Sequence, residues 1–310
     1  MNNEIQISHI TKSFGKKKAL DNVSLNIHSG ELFGLIGPDG AGKTTLFRIL
    51  TTLLVADEGN ASVCGLDVLK HLKAIRCRVG YMPGHFSLYQ DLTIEENLNF
   101  FATVFGVTVK ENYECISDIY RQIEPFKHRR AGKLSGGMKQ KLALCCALVH
   151  RPDVLFLDEP TTGVDPISRT EFWNMLERLR QQGITILVST PYMDEASRCD
   201  RIALMREGKI LSVDTPTGIR KKFEHTLLAV KANAMYPLLK DLRTYPLTIM
   251  CFSYGDAHHL TLTSHRNEET TSTQMKEDIQ RLETYLVQKG YRDISIQPIE
   301  PSIEDCFMLL

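Results

Sequence analysis

Residues 31–50 read Glu31-Leu32-Phe33-Gly34-Leu35-Ile36-Gly37-Pro38-Asp39-Gly40-Ala41-Gly42-Lys43-Thr44-Thr45-Leu46-Phe47-Arg48-Ile49-Leu50, and this stretch decides the fold. Its first part is an apolar run of the length of a buried strand, followed at once by a glycine-rich turn. From Lys43 onward the pattern is helical. Gly37 to Thr44 matches G-x-x-x-x-G-K-[ST], in which small residues let successive backbone N–H groups curl around the phosphates of a nucleotide. Strand, loop and helix in that order strengthen the match, because the helix N-terminus brings partial positive charge to where phosphate would lie. Lys43 is expected at the β and γ phosphates and Thr44 on Mg²⁺. Gly37, Pro38, Asp39, Gly40, Ala41, Gly42 and Thr45 complete the candidate nucleotide-binding set.

Further along, Leu155-Phe156-Leu157-Asp158-Glu159 is an apolar strand that ends in two acids. Beside a phosphate loop, Asp158 is the candidate to hold the Mg²⁺ shell and Glu159 the candidate catalytic base that polarises the attacking water. A third segment, Lys133-Leu134-Ser135-Gly136-Gly137-Met138-Lys139-Gln140-Lys141, stands at the start of a helix. Ser135 is suited to cap that helix, and the two glycines admit close backbone approach, so the segment reads as a second phosphate-binding helix terminus.

With these three segments the chain resembles the ABC ATPases over residues 4–215. Leu134, Ser135, Gly136 and Gly137 match their L-S-G-G-Q signature, with Met138 in the last place. The resemblance implies a P-loop NTPase fold: an α/β core with a helical insert at about 85–150, followed by a small C-terminal α+β accessory domain. It implies ATP and Mg²⁺ as cofactors. It also implies that the signature acts in trans, closing on the nucleotide of a second ABC ATPase subunit in a homo- or heterodimer. Phe14 matches the aromatic residue that stacks on adenine, and Asp165, in Gly163-Val164-Asp165-Pro166, matches the loop that links the two composite sites. Met138, Phe86-Ser87-Leu88-Tyr89-Gln90-Asp91-Leu92-Thr93 and Tyr192-Met193-Asp194-Glu195-Ala196 resemble the ATPases of ABC-2-type drug and multidrug exporters. Those work with a separate membrane permease, whose coupling helix is expected on the insert near Phe86 to Phe105.

The remaining pattern fits this organisation. Glu4 to Ile10 and Leu20 to Ile27 alternate as half-buried strands, and residues 93–149 turn helical behind a Thr93 cap with Glu96 in capping-box position. Strands Val154 to Leu157 and Ile184 to Val188 flank a helix through Phe172, Trp173, Met175, Leu176 and Leu179. Such alternation predicts a mostly parallel sheet with helices on both faces. Past Pro216 the texture changes. Leu227 to Val230, Ile249 to Phe252, Leu260 to Leu262 and Ile294 to Ile296 predict a small sheet with two helices, interrupted by the polar stretch Ser264 to Ser272. Two domains are therefore expected, at 1–215 and 216–310. The tail Pro301-Ser302-Ile303-Glu304-Asp305-Cys306-Phe307 matches a P-S-x-E-D-x-F pattern of exporter ATPases, and equally reads as an amphipathic helix capped by Ser302.

Two positions depart from the family. Gly84 stands after Tyr81-Met82-Pro83 where a glutamine is expected, and Pro191 follows Ser189-Thr190 where a histidine is expected. His85 and His9 occupy neither position. Losing such a contact costs about 10² to 10⁴ in rate, so ATP binding is expected to survive better than hydrolysis. That favours a heteromer in which Ser135, Gly136 and Gly137 complete a partner's intact site.

Composition bounds the alternatives. The 310 residues carry 37 Lys+Arg against 37 Asp+Glu, so the formal charge is zero and no basic field for nucleic acid exists. No nucleic-acid partner is expected. No stretch approaches the roughly 18 apolar residues of a membrane span, and the N-terminus lacks the basic start and apolar core of a secretion signal. The expected location is cytoplasmic, peripheral on the inner face of the membrane through the permease. The eight cysteines form no C-x-x-C pair and read as thiols, Cys145 and Cys146 as core residues. The function expected is the ATP-hydrolysing subunit of an ABC-2-type exporter. A non-hydrolysing regulatory cassette, and a soluble ABC protein of translation or DNA repair, are the alternatives.

Overall fold

The computed structural model describes residues 3–265 and 271–310; of the polar stretch Ser264 to Ser272, residues 266–270 lie outside the described residues. The chain divides into two compact units, Met1–Pro216 and Thr217–Leu310.

The first unit opens with the antiparallel pair β1 (Asn3–Phe14) and β2 (Lys17–His28), then β3 (Leu32–Ile36) and α1 (Lys43–Leu50). It continues through β4 (Glu58–Val63), β5 (Leu66–Asp67), α2 (Leu72–Arg78) and β6 (Val79–Met82). The insert follows as α3 (Ile94–Val104), α4 (Tyr113–Tyr120) and α5 (Gly136–Leu148). The core resumes with β7 (Val154–Asp158), α6 (Pro166–Gln181), β8 (Thr185–Thr190), β9 (Arg201–Arg206) and β10 (Lys209–Asp214).

Two sheets result, β2-β1-β4-β5 and β10-β9-β3-β8-β7-β6. Every residue of β3, β7 and β8 is buried, as strands covered on both faces require. β3 pairs in parallel with β8, and β8 with β7, so the carboxyl ends of these three neighbours emerge at one edge. Open α/β sheets bind their ligands at that edge. Behind it, Phe47 of α1 meets Phe156 of β7 edge to face at 5.9 Å, in a core shared with Ile5, Leu25 and Leu46. In the insert, Thr93 and Glu96 form a reciprocal capping box at the start of α3. No helix among the described residues is long and apolar enough to cross a membrane.

From α7 (Pro216–Lys221) the chain enters the second unit: β11 (His225–Lys231), α8 (Met235–Arg243), β12 (Thr248–Tyr254), β13 (Ala257–His265), α9 (Thr271–Gln288), β14 (Ser295–Pro298) and α10 (Ile303–Leu309). Its antiparallel sheet, β12-β13-β11-β14, packs Leu228, Val230 and Leu260 against Leu238, Leu242 and Leu282 of the helices in a core of its own. Ser302 caps α10 in a capping box with Asp305, and the fully buried Asp305 also meets Nδ1 of His259 on β13 at 2.7 Å.

Candidate nucleotide-binding site

The loop after β3 is built so that only glycine fits its first position. A Cβ on Gly37 would lie 2.2 Å from the Met205 carbonyl oxygen on β9, so the backbone hugs the sheet edge. Gly42 caps α1 in the left-handed region, at φ 109°, and no side chain covers that helix N-terminus. Its first turn holds no acid, leaving the N–H groups and the helix dipole directed at the loop. Pro38, Asp39 and Gly40 are exposed on the loop, Ala41 is buried beneath it, and Thr45 is half-buried on α1.

Lys43 is almost completely buried. Its ammonium donates to the carbonyls of Gly37 (2.8 Å) and Pro38 (3.0 Å) and pairs with Glu159 Oε1 at 3.1 Å. The Thr44 hydroxyl donates to Asp158 Oδ2 at 2.7 Å, and the Ser189 hydroxyl donates to Asp158 Oδ1 at 2.6 Å. Burial and the nearby negative charge of Asp158 push the Tyr81 phenol up to about 12. Glu159 itself sits at φ 49°, a left-handed conformation that costs a non-glycine residue roughly 1–3 kcal/mol. Its N–H is held there by the Ser189 carbonyl (3.1 Å) and hydroxyl (3.0 Å).

These donors fit a magnesium–nucleotide complex. A hydroxyl beside a buried carboxylate is the hard oxygen set that Mg²⁺ takes, while a buried ammonium under an uncapped helix N-terminus suits phosphate. The structure thus brings Lys43, Thr44, Asp158 and Glu159 together. Among the described residues no hydrogen bond joins Leu134, Ser135, Gly136, Gly137 or Met138 to that cluster. Ser135 is exposed and caps α5, accepting from the Met138 N–H at 3.4 Å. Leu134 and Gly137 are buried, and Gly137 packs against Ser168 of α6. Asp165 is exposed and caps α6; the Ser168 N–H it accepts holds its carboxyl below the usual carboxylate range. Phe14 is half-exposed at the end of β1, with the Lys12 ammonium 5.8 Å from its ring centre.

Gly84 lies directly against Asp158: a Cβ there would be 3.2 Å from the Asp158 carbonyl oxygen and 3.8 Å from Asp158 Oδ2. No side chain reaches Asp158 from this position. Pro191 offers neither an N–H nor an imidazole. His85 and His9 do not stand in for them, since His85 lines an apolar groove with Phe86, Phe101 and Phe105, and His9 Nδ1 meets Asn22 Oδ1 at 2.8 Å. Ser189, Thr190 and Glu195 are polar groups of this edge whose placement the sequence reading missed. The available signal was a pair of hydroxyl residues closing the apolar run Ile186 to Val188 of β8.

Fold and site together define a nucleotide-binding cassette of the phosphate-loop class. The model of the ABC transporter family matches residues 20–162. A probable multidrug ABC transporter ATP-binding protein of Escherichia coli, YbhF, is 43% identical over 218 residues, 70% of this chain and 38% of that protein. The chain therefore spans little more than a third of that relative. The Nod factor export ATP-binding protein I of Paraburkholderia xenovorans is 38% identical over 218 residues, covering 69% of this chain and 72% of that one. Among solved structures, the dimeric post-hydrolysis state of the ATP-binding cassette MJ0796, bound to ADP and Pi, superposes with a TM-score of 0.62 at 26% identity, over 68% of this chain and 98% of that one. The chain belongs to the ATP-binding proteins of the ABC transporter family.

Proposed function

We propose that the chain binds and hydrolyses ATP as its Mg²⁺ complex and drives an ABC-2-type exporter whose membrane permease is a separate subunit. The observation that carries this is the convergence of Lys43, the Thr44–Asp158 pair and Glu159 at the carboxyl ends of three adjacent parallel strands. Lys43 exchanges its loop carbonyls for the β and γ phosphates, and the N–H groups of the loop and of α1 surround them. Thr44 and Asp158 hold the metal, which when bound neutralises phosphate charge. Glu159, fixed through its N–H by Ser189, takes the proton of the attacking water. Phe14 stacks on the base, and Ser135 to Gly137 with Asp165 complete the site of a second cassette.

The apolar groove of about 540 Å³ between Met82, Phe86, Leu88, Phe101, Val104 and Phe105 supports docking of a permease helix there. Such docking would hold the chain on the inner face of the membrane. The second unit, Thr217–Leu310, acts as an accessory domain. Gly84 and Pro191 favour a heteromer, in which this chain mainly holds ATP in its own site and completes its partner's.

The test is phosphate release by the purified chain with ATP binding followed in the same sample. Lys43→Ala should lose binding, whereas Glu159→Gln should bind normally and release no phosphate. On the heteromer model wild type binds tightly and turns over about 10² to 10⁴ slower than a complete site. Fast turnover by the chain alone would establish a homodimeric motor instead. A second reading, a cassette that clamps a complex without hydrolysis, rests on the bare edge of Asp158 at Gly84. It requires ATP binding without turnover even beside the cognate partner.

A further inference from the structure

Glu195 is an acid buried where acids are rare: 3% of its surface is exposed, at the edge of the sheet beyond Pro191. One carboxylate oxygen accepts from the Thr161 hydroxyl at 2.8 Å and the other from the Thr190 hydroxyl at 2.5 Å. Arg169 Nε of α6 stands 3.5 Å away, its guanidinium stacked over Tyr192 and bonded to Asp194. A buried carboxylate so satisfied fixes whatever it touches, because breaking any bond leaves charge or a polar group without solvent.

Each of its partners belongs to a different part of the site. Thr161 is two residues past Glu159, in the turn that runs on to Asp165. Thr190 ends β8: its carbonyl accepts from the N–H of Gly37 at 3.3 Å, and its neighbour Ser189 holds the N–H of Glu159. Arg169 lies on α6, the helix that Asp165 caps. Pro191 supplies no side-chain donor, so the Thr190 hydroxyl and the carboxylate to which it donates hold the strand's tip.

We infer that Glu195 is a positioning residue, which fixes Glu159 and the turn leading to Asp165 for the step at the γ phosphate and contributes little to nucleotide affinity. The inference rests on the hydrolytic reading above. Its test is single-turnover hydrolysis with the chain in excess over MgATP, together with equilibrium ATP binding, for wild type, Glu195→Ala and Thr161→Val. Thr161→Val removes one tie without leaving a charge unpaired, which keeps the test decisive should Glu195→Ala fold poorly.

The expected result is a rate at least about tenfold lower for Glu195→Ala, and a smaller fall for Thr161→Val, with ATP affinity within about twofold of wild type. Unchanged rates, or affinity falling in step with rate, would each overturn the assignment. Should wild type and Lys43→Ala be equally inactive while wild type still binds ATP, the hydrolytic reading fails and amide exchange decides the positioning role separately. Faster exchange confined to residues 159–165 and 189–192 in the ATP-bound Glu195→Ala and Thr161→Val variants would support it, and unchanged exchange would overturn it.

Discussion

Replacing Gly37 by alanine adds one methyl group to the site, yet that methyl would lie 2.2 Å from a carbonyl oxygen of the central sheet. Neither strand can yield cheaply, so the loop must lift away. Gly37→Ala is expected to lower stability by about 1–3 kcal/mol and to abolish ATP binding, read by thermal melting and nucleotide titration. At this scale the sequence was informative where chemistry is written as spacing: Gly37 to Thr44 and Asp158-Glu159 each stand as contiguous motifs, and the fold brings them together. It was silent on the burial of Glu195, because a lone glutamate in a polar segment ordinarily faces water. One of the partners that satisfy it, Thr161, is 34 residues distant in the chain.

Elements differ in how far pattern alone defines them. β3 and α1 were legible because a five-residue apolar run, a glycine turn and an uncapped helix start follow one another without interruption. The capping residues Thr93 and Ser302 were legible for a similar reason, since a cap is a local device. β6 was not: its four residues are too short for any period to show, and only pairing with β7 makes them a strand. Nor did pattern reveal β4, β5, β9 and β10, or the order in which crossovers interleave the strands. In the second unit, the P-S-x-E-D-x-F tail is accounted for locally as a capping box whose acid also ties α10 to β13. Ser302→Ala should therefore cost about 1 kcal/mol. Asp305→Ala, which also leaves buried His259 without its partner, should cost about 1–3 kcal/mol, both measured by denaturant unfolding.

For the whole molecule, two compact units with separate cores predict two unfolding events. The sole tryptophan, Trp173, is buried on α6 of the first unit, so its fluorescence should follow that unit, while far-ultraviolet circular dichroism follows both. Saturating MgATP at about 100 times its Kd should stabilise the first event by about 2.7 kcal/mol and leave the second in place. A single transition shifted as one by MgATP would show the units to be thermodynamically inseparable. The ion pair between Lys43 and Glu159 has its own consequence at this scale. The cation proposed to greet a phosphate and the acid proposed to activate water hold each other at 3.1 Å. On those roles, a triphosphate that draws the lysine away would free the carboxylate in the same movement, so that the fuel itself would release the catch.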